Sequence, residues 1–207
     1  MGAVENSLLT IGHSTHPLKV FVELLLRHKV SALADVRSTP FSRFNPQFNR
    51  DALERELKSY GIRYVFLGRE LGARSDDPSC YENGRVQYAR LAQLPSFHQG
   101  IARLKAGARD HKIAIMCAER EPLECHRTLL VARALDADGV AVEHILPDGS
   151  LERHPDTMER LLDVVGLPHD DLFRSKDDLM AEALARQEDR IAYKDESLAG
   201  DETGEAP

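Results

Sequence analysis

Long hydrophobic runs are missing from this sequence, and so is any sign of export. None of its 207 residues lies in a run of about eighteen uninterrupted apolar residues, so we expect no membrane-spanning helix and no membrane partner. The first residues have no cationic segment followed by an apolar core and a small-residue cleavage site, so we expect no secretory signal. Only three cysteines are present, an odd number that differs from the disulfide framework of a small secreted protein. Together these absences predict a globular protein in the cytoplasm.

An excess of positive charge is missing as well. The chain carries 27 lysines and arginines against 34 aspartates and glutamates, a net charge of −7 at pH 7, which argues against a surface that binds nucleic-acid phosphates throughout. The charge is uneven, because acidic residues crowd the C-terminal end while residues 37–74 are rich in arginine. A local cationic face, with nucleic acid as its partner, is therefore kept as an alternative.

The commonest catalytic motifs are absent too. The sequence holds no glycine-rich phosphate loop, no His-Glu-x-x-His zinc motif and no serine nucleophile elbow. A function therefore has to be argued from where polar residues fall in the predicted fold.

What the sequence does contain is a regular alternation of strand and helix. Short apolar runs bounded by turn residues predict five strands, at 7–13, 30–37, 62–68, 111–119 and 140–146. Helical spacing predicts helices from Pro17 to about Lys29, from a cap at Asn49 or Asp51 to about Tyr60, over 86–107 with a break near Pro95, over 125–138, from Thr157 to a break at Pro168, and over Asp177–Arg190.

This alternation predicts an α/β fold. We expect a mostly parallel five-stranded sheet with helices on both faces, plus C-terminal helices. Residues 1–194 are expected to form a single α/β domain with a C-terminal helical extension from about 155, and residues 195–207 a disordered acidic tail. The sequence predicts neither the order of the strands nor the oligomeric state.

Polar residues gather at the predicted carboxyl ends of the strands. Right-handed crossovers place these ends on one edge of a parallel sheet, where ligands commonly bind. The residues at the ends are His13 and Ser14, Asp35 and Arg37, Gly68 and Arg69, Cys117 and Glu119, and His144.

The stretch "CAEREPLECHR", residues 117–127, carries the densest group of reactive side chains, and a metal site is one interpretation of it. Its two cysteines are eight positions apart, too far for a zinc knuckle, whose ligands commonly lie two to four residues apart. Cys117, Cys125 and His126 can still converge in the fold and form a mixed transition-metal site.

A reactive thiol is a second interpretation. Cys117 ends a strand ahead of a loop that opens a helix, where backbone N–H groups lower the pKa of a thiol. A phosphatase loop needs arginine six residues after its cysteine, and Leu123 stands there, among glutamates that repel phosphate. The structural alternative is that Cys117 is a small apolar residue at the end of a buried strand.

The end of the stretch begins a helix. His126 is suited to proton transfer near neutral pH, and Arg127 offers a bidentate fork for a carboxylate or phosphate. Alternatively Arg127 forms an ion pair with Asp35 or Glu119, and His126 is packed.

The loop at 35–49, "DVRSTPFSRFNPQFN", combines acid, base and aromatics. Asp35 is placed to orient Arg37 or to bind a ribose or a base. Arg43 stands between Phe41 and Phe44, an arrangement that stacks on nucleotides or single-stranded nucleic acid. The alternative is that the two phenylalanines pin the loop to the body of the protein.

With these motifs in hand, the sequence resembles the domain-of-unknown-function family 488, a group of bacterial and archaeal α/β proteins. The resemblance covers about residues 8–194 and implies an α/β fold, but the family's biochemical role is unsettled, so it implies no reaction. It rests on "IGHS" (11–14), "DVRSTP" (35–40), "SRFNPQF" (42–48) and "CAEREPLECHR" (117–127), with further likeness at "EHI" (143–145) and "RQEDRIAY" (186–193).

Our leading hypothesis is a cytoplasmic enzyme, a hydrolase or transferase, that binds a nucleotide, nucleobase or similar small ligand at the carboxyl edge of the sheet. The alternatives are a metal-dependent enzyme with a Cys/His site and a non-catalytic nucleic-acid-binding module. The sequence names no cofactor and does not favour a bound metal. The predicted catalytic residues are Cys117, Glu119 and His126, and the predicted ligand-binding residues are His13, Ser14, Asp35, Arg37, Arg43 and Arg127.

Overall fold

Strands and helices alternate along residues 7–198, the part of the chain that the structure, a computed structural model, describes. The strands are β1 Leu8–Gly12, β2 Ala32–Asp35, β3 Arg63–Phe66, β4 Tyr81–Glu82, β5 Arg85–Val86, β6 Ile113–Cys117, β7 Val142–Ile145 and β8 Leu151–Arg153. The α-helices are α1 Leu18–Arg27, α2 Arg50–Ser59, α3 Gly68–Leu71, α4 Tyr88–Leu91, α5 Pro95–Gly107, α6 Arg133–Ala137, α7 His154–Val165 and α8 Lys176–Ile191. Short 3₁₀ helices lie at Pro46–Phe48, Pro78–Cys80, Pro122–Glu124 and Glu196–Leu198, and a π-helical segment, Arg127–Ala132, leads into α6. The predicted α/β class is confirmed.

One sheet has the strand order β3-β2-β6-β1-β7-β8, in which the first five strands are parallel and β8 runs antiparallel to β7. The prediction of a mostly parallel sheet is confirmed, but the count of five strands is wrong, because the sheet has six. The chain reverses at Gly149, whose φ of +84° suits glycine, and Leu151–Arg153 pair with β7. Such a short, partly exposed strand shows no apolar alternation that predicts it. A separate ribbon pairs β4 with β5 inside the long polar connection.

Helices cover both faces of the sheet. Successive side chains of a strand point to opposite faces, so each strand contributes to two separate cores. On one face Leu9 and Met116 pack in a core with the apolar residues of α1 and α2. On the other face Leu8 and Ile115 belong to a core that includes α5, α6, α7 and α8. Cys117 is the last β6 residue on this second face.

Strand β6 lies between β1 and β2, so the carboxyl ends of these three strands meet. Gly12 pairs with Cys117, and the N–H of His13 donates to the Cys117 carbonyl at 2.9 Å. A Cβ on Gly12 would overlap the backbone carbonyl of Glu119. Glycine at this position therefore allows the loop after β6 to cross directly over the end of β1.

The segment after α8 returns to the β4–β5 ribbon. The N–H of Val86 donates to the Tyr193 carbonyl at 3.0 Å, and the N–H of Asp195 donates to the Gly84 carbonyl at 2.7 Å. This pairing brings Tyr193 to the edge of the sheet where the predicted site residues lie.

Two stretches lie outside the described residues. Residues 1–6 belong to the N-terminal segment for which no secretory signal is expected, and residues 199–207 form most of the predicted acidic tail. Within 7–198 no helix is both long and apolar enough to cross a membrane.

Candidate functional site

A cleft of about 770 Å³ opens at the carboxyl ends of β1, β2 and β6. The loop after β2, the polar connection near Arg74 and the end of α8 complete its walls. The structure brings six of the predicted site residues together around this cleft: His13, Ser14, Arg37, Cys117, Glu119 and His126.

Four ionisable side chains meet at the bottom of the cleft, and we call Cys117, Glu119, Cys125 and His126 the floor cluster. One sulfur, oxygen or nitrogen atom of each lies within 4.8 Å of the others. His126 Nδ1 is 3.7 Å from Cys117 Sγ and 3.9 Å from Cys125 Sγ. The Cys125 thiol donates a hydrogen bond to Glu119 Oε2 at 2.8 Å. Two cysteines that are eight positions apart in sequence therefore face the same point.

The turn between β6 and the π-helical segment brings Cys117 and Cys125 close together in the fold. The Glu121 side chain accepts a hydrogen bond from the N–H of Leu123 and caps the 3₁₀ helix Pro122–Glu124. The N–H of Cys125 then donates to the Pro122 carbonyl at 3.2 Å, and the extended backbone at Cys125 leads into the π-helical segment. π-helical turns are frequent at functional sites.

His126 is held in one orientation. Its Nε2 lies 3.1 Å from the backbone carbonyl of Val36, which can only accept a hydrogen bond, so Nε2 carries a proton. Nδ1 consequently faces the two sulfurs. Burial opposes protonation of this ring, but the hydrogen bond and the charge of Cys125 raise the pKa of His126 above its ordinary value.

The two thiols of the floor cluster differ in acidity. Burial and the hydrogen bond with Cys125 raise the pKa of Cys117 well above its ordinary value. Burial opposes ionisation of Cys125 too, but the hydrogen bond with Cys117 and the positive charge of Arg127 lower the pKa of Cys125. Burial and the neighbouring Cys125 raise the pKa of Glu119. Cys125, beside Arg127, is therefore the thiol of this pair whose surroundings favour the charged form, while the role of Cys117 as a reactive thiol stays a prediction.

Arg127 is completely buried and does not line the cleft. Its guanidinium donates to the backbone carbonyls of Glu119, at 2.7 Å, and Arg120, at 3.3 Å. Its backbone N–H donates to Cys125 Sγ at 3.4 Å. Among the described residues Arg127 forms no ion pair with Asp35 or Glu119, so that half of the alternative is wrong, whereas His126 is buried, as its other half expected. Arg127 positions the loop above the floor cluster.

Asp35 and Arg37 form a buried ion pair behind the cleft wall. Asp35 Oδ1 accepts from Arg37 Nε at 2.9 Å, and Oδ2 accepts from Arg37 Nη2 at 2.6 Å and from the Tyr64 hydroxyl at 2.7 Å. Arg37 also donates to the Phe48 carbonyl and to His13 Nε2. These bonds use four of its five N–H groups, and the last one, on Nη1, has no acceptor within residues 7–198. Arg37 therefore brings one oriented donor to the cleft, as the sequence suggested for this pair.

His13 is held as a neutral ring. Its Nδ1 donates to the Ser14 carbonyl at 2.8 Å, Nε2 accepts from Arg37 at 3.2 Å, and the ring stacks on Phe48 with centroids 4.3 Å apart. Burial lowers the pKa of His13 to about 4. The neutral His13 ring therefore orients Arg37 by accepting a hydrogen bond from it.

The family model described as domain of unknown function DUF488 matches residues 17–134, more than half of the chain. The chain belongs to the DUF488 family. The match confirms the resemblance and includes the motifs at 35–40, 42–48 and 117–127, whereas "IGHS" at 11–14 precedes it. A search of the curated proteins and a search of the solved structures found no match.

The DUF488 motif at 42–48 places Arg43 outside the cleft. Arg43 is exposed and is not among the lining residues. Phe41 is 62% exposed and Phe44 is 95% exposed, so the interpretation that these two rings pin the loop is wrong. Phe48, which is fully buried, anchors the loop instead.

Several cleft residues of this DUF488 chain were not singled out from the sequence. Arg74 lies over the ring of Tyr193, 4.1 Å from its centroid, and both residues line the cleft. Arg120 and Tyr88 line it as well. Arg120 lies inside the "CAEREPLECHR" motif, which was a usable signal. No sequence pattern links Arg74 to Tyr193, because they come from distant segments that only the fold brings together.

Proposed function

We propose that the chain is an enzyme, a hydrolase or transferase, that acts on a nucleotide or a similar small anionic ligand bound in the cleft. The observation that carries the proposal is the convergence of reactive groups and arginines on one cavity of about 770 Å³. Three predicted catalytic residues line its floor: Cys117, Glu119 and His126. Three arginines line its walls: Arg37, Arg74 and Arg120.

The arginines supply donors for the anionic part of the ligand. Arg37 contributes its one N–H that has no acceptor within residues 7–198. The Arg120 side chain is exposed and has no hydrogen-bond or ion-pair partner in the described part of the chain. Hydroxyl groups of Ser38 and Thr39 line the same cleft. Charge-assisted bonds from arginine to a phosphate or carboxylate are short and strong, which favours an anionic ligand.

The size and walls of the cleft suit a nucleotide. Ligand pockets commonly have volumes of about 300–1,000 Å³, and this cavity falls in that range. The aromatic residues Phe41 and Tyr193 offer flat surfaces against which a base can stack. The guanidinium of Arg74 lies over the ring of Tyr193 and extends that surface.

Glu119 is the member of the floor cluster that is best placed for proton transfer. It is exposed to the cleft, whereas Cys117 and His126 are only 3% and 7% exposed. Its carboxylate contacts the Cys125 thiol at 2.8 Å, so a proton can pass between the bound ligand and the floor cluster.

Calorimetric titration with nucleoside phosphates, nucleosides and nucleobases tests the proposal. Arg120→Ala is expected to weaken binding of a phosphorylated ligand about tenfold, whereas Arg109→Ala, at an exposed arginine outside the cleft, is not. Glu119→Gln is expected to retain binding but to lower turnover by more than about 100-fold, measured as product by mass spectrometry. Failure of every compound to bind, or equal affinities of the two arginine variants, would overturn the proposal.

A second candidate function is the binding of single-stranded nucleic acid beside the cleft. Phe41 and Phe44 flank Arg43, and all three are exposed. Stacking on such rings contributes about 1–3 kcal/mol per base. Phe44→Ala is therefore expected to lower affinity for oligothymidylate at least fivefold, while Phe173→Ala, which removes an equally exposed ring elsewhere, is not. Absence of binding, or the same loss in both variants, would remove this candidate.

A further inference from the structure

The floor cluster contains the donor atoms of a transition-metal site. Two sulfurs, one imidazole nitrogen and one carboxylate oxygen lie within 4.8 Å of one another. Ligand atoms around tetrahedral zinc are roughly 3.3–3.8 Å apart, given zinc–sulfur distances of about 2.3 Å and zinc–nitrogen distances of about 2.0–2.1 Å. The two sulfur–nitrogen distances, 3.7 and 3.9 Å, are close to that range. We propose that Cys117, Cys125 and His126 bind one zinc ion, with the fourth position open toward the cleft beside Glu119.

The histidine is already oriented as a ligand. Metal-binding histidines usually donate their second ring N–H to a carbonyl or carboxylate, which fixes the other nitrogen toward the ion. His126 Nε2 donates to the Val36 carbonyl at 3.1 Å, and Nδ1 faces Cys117 and Cys125. The ring therefore needs no rearrangement to bind an ion between the two sulfurs.

One of the two thiols, Cys125, has surroundings that support a thiolate. The backbone N–H of Arg127 donates to Cys125 Sγ at 3.4 Å, and the buried Arg127 guanidinium adds positive charge beside the cluster. Cys117 ends a central strand and Cys125 precedes a helical segment, so both are fixed by regular structure. A cation placed between two thiolates and above an arginine leaves no buried charge uncompensated.

The contact between Cys125 and Glu119 indicates what the ion displaces. The Cys125 thiol donates to Glu119 Oε2 at 2.8 Å, and this sulfur–oxygen distance is shorter than the edge of a zinc coordination sphere. Binding of zinc removes this thiol proton and the Cys117 thiol proton, because thiolates are the ligands. Without metal, the Cys125–Glu119 hydrogen bond holds the floor cluster together. With zinc bound, coordination bonds to the ion would hold it.

The donor set selects the type of ion. Thiolate and imidazole ligands suit zinc, whereas magnesium and calcium prefer oxygen ligands. When bound, zinc would supply a Lewis acid at the floor of the cleft. Binding of the ion does not depend on the nucleotide proposed above, so the two proposals fail independently.

The test uses full-length protein without a histidine tag, purified in reductant, stripped of metal and titrated with Co²⁺. We expect one equivalent to bind, with a sulfur-to-cobalt charge-transfer band and intense visible bands of tetrahedral geometry, and zinc to displace the cobalt. Calorimetry in buffers of different ionisation enthalpy should show proton release. Absence of the charge-transfer band in wild-type protein would overturn the proposal, whether or not any variant folds.

Substitutions locate the site. Loss of residues that only support a metal ligand lowers metal affinity about 10- to 100-fold, so Cys117→Ser and Cys125→Ser are expected to lower Co²⁺ affinity by more than about 100-fold. Cys80→Ser changes a third buried cysteine, outside the cluster, and is expected to leave the affinity within about twofold. Circular dichroism confirms that the variants compared are folded. Equal affinities in the three variants would place the ion elsewhere and contradict the assignment.

Discussion

The guanidinium of Arg127 donates a 2.7 Å hydrogen bond to the backbone carbonyl of Glu119. The two residues stand on either side of the turn that closes the floor cluster. A second hydrogen bond, to the Arg120 carbonyl, holds the next residue of the loop. On its other side the loop rests on Gly12, where a side chain would overlap the Glu119 carbonyl. The geometry of the floor cluster therefore depends on the buried guanidinium of Arg127 and on the absence of a side chain at Gly12.

The first prediction concerns the buried cation. Arg127→Met keeps most of the side-chain volume but removes the donors to the Glu119 and Arg120 carbonyls. Because a carbonyl that loses its donor costs about 1–3 kcal/mol, we expect the free energy of unfolding to fall by about 2–4 kcal/mol, measured by urea denaturation. Arg109→Met, at an exposed position, should change it by less than about 0.5 kcal/mol. Equal stabilities of the two variants would contradict the role given to Arg127.

The second prediction concerns the missing Cβ. Gly12→Ala forces the backbone of the loop away from β1, so we expect the free energy of unfolding to fall by about 1–3 kcal/mol. Binding of Co²⁺ should weaken as well, because the loop carries one side of the floor cluster. In the control Gly107→Ala, the new Cβ meets only the end of the flexible Ile113 side chain, at 3.1 Å, and stability should change by less than about 1 kcal/mol. A Gly12→Ala protein as stable as this control would show that the loop tolerates a side chain at this position, which would contradict the prediction.

The third prediction concerns the support of Arg37. Tyr64→Phe removes the hydroxyl that donates to Asp35 Oδ2 at 2.7 Å. Hydrogen bonds to charged groups contribute about 1.5–3 kcal/mol, so the free energy of unfolding should fall by that amount. Tyr60→Phe, at an exposed tyrosine, serves as the matched control and should have no measurable effect. The difference between the two variants in urea denaturation decides the outcome, and a difference below about 0.5 kcal/mol contradicts the prediction.

The edge of the sheet could be predicted from sequence because its signals are local. Apolar runs predict the five parallel strands, and reactive residues such as Asp35 and Cys117 stand at the carboxyl ends of two of them. Parallel topology then brings strand ends together whatever the strand order. The edge strand β8 could not be predicted, because its three partly exposed residues show no pattern of burial.

The internal arrangement of the site could not be predicted, because it depends on contacts between distant segments. The sequence suggested a ligand-binding fork at Arg127, but the loop that crosses Gly12 buries this side chain and supplies its acceptors. The sequence offers Cys117 as one candidate for a reactive thiol, but it does not predict that the Arg127 backbone N–H donates to Cys125 instead. Only the tertiary structure shows which of two cysteines receives an N–H and a cation.

The last prediction concerns two histidines that the candidate site does not use. His144 Nε2 lies 3.1 Å from His154 Nδ1, and His144 Nδ1 lies 2.7 Å from the Thr10 hydroxyl, all in the buried core. Burial lowers the pKa of both histidines below the ordinary value of 6.5. Below about pH 6.5 the unfolded chain therefore binds protons that the folded chain refuses. The stabilisation is complete above this pH and is lost as the pH falls toward the lowered pKa values.

Urea denaturation at about pH 7.5, 6.5 and 5.5 measures this loss. Each of the two histidines should contribute a slope of up to about 1.4 kcal/mol per pH unit below pH 6.5. His154→Gln removes one titrating group and should reduce the slope, while His98→Gln, at an exposed histidine, should not. His13, whose pKa burial lowers to about 4, also adds to the slope, but it is present in every variant and cancels from the comparison. If the wild-type protein and His154→Gln have the same slope, the histidine pair does not set the acid sensitivity of the fold.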